Sequence, residues 1–170
     1  MWFYPLPVAE QPPHTWHYIL DARTGLGNGW IFYAQSDLSQ MRKGTGWNKV
    51  RIHDMSTSPP SLTTWTTSSW LNSHPPGRWY HLYAEASTDF TGSIYVFARY
   101  ANLQSLHARL ASFAVWSRAL TDSEVDALVA GGSGPTDAGV LLAHYSADDA
   151  TPSQIPEAMS RTAAASIAGS

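Results

Sequence analysis

Cysteine is absent from the 170-residue chain, which removes disulfides, thiolate nucleophiles, zinc ribbons and iron–sulfur sites in one step. Stability must come from packing. Charge is scarce as well: Asp, Glu, Lys and Arg make up 14% of the residues, well below the ~25% of an average globular chain. Ten Lys plus Arg stand against thirteen Asp plus Glu, a formal charge of -3, and no window gathers them into a basic cluster. The electrostatic footprint that nucleic acid requires is missing. No apolar run approaches the ~18 residues of a membrane-spanning helix, so no membrane insertion is expected. The opening Met1-Trp2-Phe3-Tyr4-Pro5-Leu6-Pro7 lacks the positive region, unbroken apolar stretch and small-residue cleavage site of a secretory signal. Paired carboxylates of the Glu-x-Asp-x-Glu type are missing from every candidate strand, and no Ser stands in a Gly-x-Ser-x-Gly context, so no catalytic residue and no enzyme activity is expected.

What the chain does have is apolar and aromatic bulk: 44% hydrophobic residues and 12% aromatics, including eight Trp. At this length one domain should bury roughly 70% of its unfolded-chain surface. Short apolar or alternating runs at 16–20, 30–34, 47–52, 79–85, 93–100, 110–116 and 140–145 are separated by Gly, Pro and Asn punctuation, which predicts an all-β antiparallel sandwich over 16–146. In the run 79–85, Tyr80, Leu82 and Ala84 share one face and Trp79, His81, Tyr83 and Glu85 the other. Aromatics on both faces imply that a loop or a partner covers part of the outer surface. One segment breaks the period of two. Thr121-Asp122-Ser123-Glu124 is a capping box, Leu120 can staple to Val125, and Gly131-Gly132 supplies a stop, so a short helix is predicted near 121–130. Residues 1–15 carry Pro5, Pro7, Pro12 and Pro13 and read as an extended arm, because each proline removes a donor and restricts its predecessor. Trp2, Phe3 and Tyr4 on that arm need burial, and a groove on a neighbouring subunit is the expected place. Residues 147–170 turn to Ala, Ser, Thr and Pro and read as a low-complexity tail.

The stretch Gly77-Arg78-Trp79-Tyr80-His81-Leu82-Tyr83, followed by Gly92-Ser93-Ile94-Tyr95-Val96, resembles consecutive strands of laminin-G-like domains. Trp116-Ser117-Arg118-Ala119-Leu120-Thr121-Asp122-Ser123-Glu124-Val125 is similar to the closing signature of the same group, where a strand runs into a helical turn. The resemblance implies the concanavalin A-like lectin/glucanase fold, a jelly-roll sandwich. It also implies an abridged sandwich, or one completed by another subunit, since 1–15 is short for the opening strands. The order helix, Gly/Pro link, then Leu141-x-Ala143-x-Tyr145 is similar to lectin-like modules in bacteriophage structural proteins. That likeness implies a virion protein assembled in the bacterial cytoplasm, a capsid decoration or a tail or fibre appendage. Its partners would be other virion proteins or further copies of itself, with host-surface glycan as ligand. A cellular carbohydrate-binding or adhesion module acting outside the cell is the alternative reading, and a glycoside hydrolase a more distant one.

Sugars are held by aromatic faces flanked by planar polar groups, and Trp47, Trp65, Trp70, Asn72, Arg99, Tyr100 and Asn102 stand in or beside expected loops. The plainer reading of a Trp in a cysteine-free sandwich is core. Calcium is the one cofactor left open: Asp21, Asn28, Asp54, Asp89 and Asn102 fall near expected strand ends, where Asx capping of turns is the competing role. His81 and Glu85, like His17 and Asp21, lie four residues apart on one strand face, roughly 13 Å along a strand and too far for a dyad. These imidazoles are expected to be packing groups.

Overall fold

In the computed structural model, residues 1–22, 31–66, 70–72, 74–88, 92–99, 104–131, 140–146 and 165–167 are described. Their strands, in chain order, are β1 (Trp2–Pro5), β2 (Trp16–Asp21), β3 (Ile31–Gln35), β4 (Gln40–Lys43), β5 (Trp47–Asp54), β6 (Ser61–Trp65), β7 (Trp70–Asn72), β8 (Tyr80–Ala86), β9 (Gly92–Val96), β10 (Ala108–Trp116), β11 (Leu141–Ser146) and β12 (Ala165–Ile167). A helix, α1 (Asp122–Val129), lies between β10 and β11, and a single 3₁₀ turn covers Val8–Glu10. Among the described residues these strands form two six-stranded sheets, ordered β11-β10-β1-β8-β5-β6 and β12-β9-β2-β3-β4-β7, with antiparallel pairing between the neighbours. Phe3, Val50, Ile52, Tyr80 and Leu82 of the first sheet meet Ile19, Leu20, Ala34, Met41, Ile94 and Val96 of the second in one core cluster. The chain is an all-β sandwich with one short helix. No helix among the described residues is long and apolar enough to cross a membrane.

The opening segment overturns the expectation of an unpaired arm. Trp2–Pro5 is an inner strand, paired with β10 on one side and β8 on the other. Phe3 is fully buried, its ring 5.8 Å from Tyr80 and 5.9 Å from Phe97. Proline does not prevent this, because Pro5 falls at the strand end and Pro7, Pro12 and Pro13 come after it. Beyond the strand, Leu6 N–H donates to His107 O. The Gln11 amide closes the join by donating to Leu6 O at 2.7 Å and His107 O at 2.8 Å while accepting from His107 N–H at 2.9 Å. Trp2, Phe3 and Tyr4 are therefore accommodated within their own chain.

Three further strands, β4, β6 and β7, lie outside the runs read from the sequence. Gln40–Lys43 and Ser61–Trp65 are short and polar, and their pairing with β3 and β5 makes them strands more than their own residues do. The run expected over 93–100 stops at Val96. Phe97 turns to φ 58°, donating its N–H to Ile19 O and accepting from Leu106 N–H. Of the tail 147–170, Ala165–Ile167 pairs with β9 as β12, and the remainder lies outside the described residues.

The helix forms where its local signals place it. Thr121 caps it, its hydroxyl accepting from Glu124 N–H at 3.2 Å while the Glu124 carboxylate accepts from Thr121 N–H at 2.7 Å. Leu120 and Val125 bury together with Tyr83, and Gly131, at φ 85°, ends it in a conformation that an L side chain resists. That cluster lies on the outer face of the first sheet.

Candidate functional site

Period-two alternation puts Tyr80 and Leu82 of β8 and Val50 and Ile52 of β5 into the core, so His81, Tyr83, Arg51 and His53 must face outward. Register then aligns Trp2, His81 and His53 as one cross-strand row over β1, β8 and β5. The ring centres are 5.1 Å apart for Trp2 and His81 and 5.9 Å for His53 and His81. Helix α1 closes over this part of the face. Arg51 Nη2 reaches Asp126 Oδ1 at 2.6 Å and its Nη1 donates to Asp122 O at 3.1 Å. His53 Nε2 lies 3.7 Å from Asp126 Oδ1, and Tyr83 OH accepts from Leu120 N–H at 2.9 Å. Burial keeps His53 below the ordinary imidazole range, aided by Arg51 and opposed by Asp126. His81 is driven down to about 2 by burial first, then by the neighbouring terminal amine, His53 and Arg51. Both rings are neutral at physiological pH, and each has an Nδ1 that makes no hydrogen bond. No Ser or Thr hydroxyl is hydrogen-bonded to either ring among the described residues.

The uncovered half differs. Tyr4 of β1, half-buried, packs at 5.6 Å and 59° against Trp79, which is 38% exposed. Arg109 of β10, the register partner of Tyr4, lays its guanidinium 5.4 Å from the Tyr4 ring centre. The turn before β8 supports the group: Gly77, at φ 78°, donates its N–H to Pro5 O, and a Cβ there would meet Tyr4 OH at 3.7 Å. On the other side Met55 N–H donates to Trp79 O at 3.0 Å. Arg78 reaches Asp54 Oδ2 at 3.2 Å, and Asp54 also accepts from Ser56 N–H. Burial works against ionisation of Asp54, but the Ser56 and Arg78 hydrogen bonds outweigh it and hold its carboxyl below the usual range. Tyr4 and Arg109 on paired strands and Trp79 immediately before β8 thus group two aromatic rings and one guanidinium into a shallow platform.

Those of the residues expected to touch ligand that are described are spread over both sheets. Trp47 and Trp65 are core residues, 6% and 2% exposed, and Trp65 stacks on buried His74 at 6.2 Å. Arg99 is half-buried, bonded to Gln104 and stacked 5.8 Å from the Tyr18 ring centre. Trp70 and Asn72 lie on β7, which pairs with β4 in the other sheet, while Tyr100 and Asn102 lie outside the described residues. Of the calcium candidates, Asp21 is fully buried on β2 and Asp54 is bound to Arg78 and Ser56; Asn28, Asp89 and Asn102 lie outside the described residues. No group of three or more His, Asp or Glu among the described residues is arranged to hold a metal ion.

Trp79 and Arg109 went unselected by sequence reasoning, which searched loops and placed Tyr4 on an arm. The alternation carries a usable signal: Trp79 directly precedes β8, whose core face is filled by Tyr80, Leu82 and Ala84, so the Trp79 side must be solvated or covered. No protein family, curated protein or solved structure matches the chain.

Proposed function

We propose that the chain is a non-catalytic, lectin-like module of the concanavalin A-like jelly-roll type that binds glycan and serves as a surface component of a virion. The observation behind the binding role is the exposed pair Trp79 and Arg109 grouped around half-buried Tyr4, where the Trp79 ring suits the C–H face of a pyranose. A non-catalytic role is supported by four carboxylates of this sheet and its covering helix, while Glu85 of β8 accepts from Asn48 Nδ2. Asp54, Asp122, Asp126 and Glu124 are each engaged by a basic side chain, so none is poised as a general acid or base. The virion setting rests on the sequence resemblance to phage lectin-like modules. Binding to a panel of immobilised glycans tests the reading. Trp79→Ala should weaken the bound glycan roughly tenfold, the worth of one aromatic contact, while thermal unfolding stays cooperative. A chain that binds no glycan, or binds as tightly without Trp79, overturns it.

A further inference from the structure

Lys49, Arg51, Arg78 and Arg118 each reach a carboxylate within ion-pair distance. Arg109 does not: it is exposed, and among the described residues no Asp or Glu is paired with it. Its guanidinium rests on the Tyr4 ring, which in turn packs against Trp79. A guanidinium held over an aromatic ring can present its N–H edge outward, and that fork matches the two oxygens of a carboxylate. Stacking also removes part of the rotamer freedom that an isolated surface Arg would lose on pairing.

From this juxtaposition of Arg109, exposed and without a carboxylate partner among the described residues, with the Tyr4 and Trp79 rings, we infer that the preferred ligand is a saccharide bearing a carboxylate, a uronic or sialic acid unit. The Arg109 fork receives the carboxylate and the exposed Trp79 ring receives the pyranose face, with Tyr4 holding the two in place. The inference rests on the glycan-binding reading above and narrows its ligand class. Acidic sugar is also the class for which a chain of net negative charge gains least from bulk attraction, so the preference must come from this one guanidinium.

The test compares methyl glucoside, methyl glucuronide, the methyl glycoside of N-acetylneuraminic acid and a sulfated methyl glucoside, by NMR titration of the Trp indole N–H resonances of the full chain. One of the carboxylated sugars should bind roughly five- to tenfold tighter than methyl glucoside at low salt, the range expected for a bidentate charge-assisted contact at a surface. The preference should shrink at 0.5 M salt. Arg109→Gln should reduce the ratio of carboxylated-sugar to methyl glucoside affinity to about twofold or less. Equal binding of neutral and carboxylated sugars, with Trp79 still responding, overturns the inference and leaves the glycan reading standing. Tighter binding of the sulfated sugar than of either carboxylate also overturns the inference. No response to any of the four in the wild-type chain overturns it together with the glycan reading. The salt series on the unmodified chain decides the matter even if Arg109→Gln folds poorly.

Discussion

His81 is the residue at which packing and protonation meet. Its ring is closed in by Trp2 and His53, and burial followed by the nearby terminal amine, His53 and Arg51 moves its pKa from 6.5 to about 2. His53 and His74 are lowered too, by burial first. A histidine lowered in the fold binds its proton more readily when unfolded. The stability tied to its neutral form is therefore intact above the unfolded value of 6.5 and drains away as pH falls toward the folded value. Between pH 6.5 and 4.5 the carboxylates contribute little, since their unfolded values are near 4. His81 should impose a slope approaching about 1.4 kcal/mol per pH unit toward the acid end of that window, and His53 and His74 add to it in the same direction. His81→Phe, which keeps a ring between Trp2 and His53, should remove one histidine's share of the slope. Urea unfolding of both proteins at half-unit pH steps measures it, and parallel curves would show that His81 is not one of the groups responsible.

At the scale of elements, the helix and β1 were unequally legible, for a physical reason. Thr121, Glu124, Leu120 and Val125 interact within five residues of one another, so capping box and staple are written into adjacent sequence and appear as read. Strand β1 depends on partners far along the chain: Phe3 pairs with Leu110 on one side and Tyr80 on the other. Its own residues, four positions followed by prolines, cannot signal that. The same limit hid the platform, since Tyr4 and Arg109 become neighbours only through this pairing, whereas Trp47 and Trp65 drew attention by lying near turns and proved to face inward. Helix α1 fixes Tyr83 and Arg51 without touching the uncovered half of the face. Thr121→Ala should thus lower stability by roughly 0.5–2 kcal/mol through loss of the cap and leave glycan affinity unchanged. Urea denaturation beside a glycan titration separates the two, and a fall in affinity at unchanged stability would extend the site to the helix.

For the whole molecule, the position of β1 decides what the first residues are for. An arm that only anchors the protein to a neighbour could be removed and leave a folded sandwich. A strand lying between β10 and β8 cannot, because its loss strips both of a hydrogen-bonding partner and opens the core where Phe3 sits among Tyr80 and Phe97. Phe3→Ala alone should cost about 3–5 kcal/mol, a large share of the ~5–15 kcal/mol that holds a domain together. Deleting residues 1–5 also removes the pairing that joins the β10-β11 half of the sheet to the β8-β5-β6 half, so the truncated chain should fail to fold. Near-UV circular dichroism should flatten, a hydrophobic dye should bind, and urea unfolding should lose its cooperativity. A synthetic peptide of residues 1–15 added in trans should restore the near-UV signal by refilling the gap. A truncated chain that keeps a cooperative transition and native near-UV bands would mean that β10 and β8 close on each other without β1, and the opening residues would then be free to act on a neighbouring subunit.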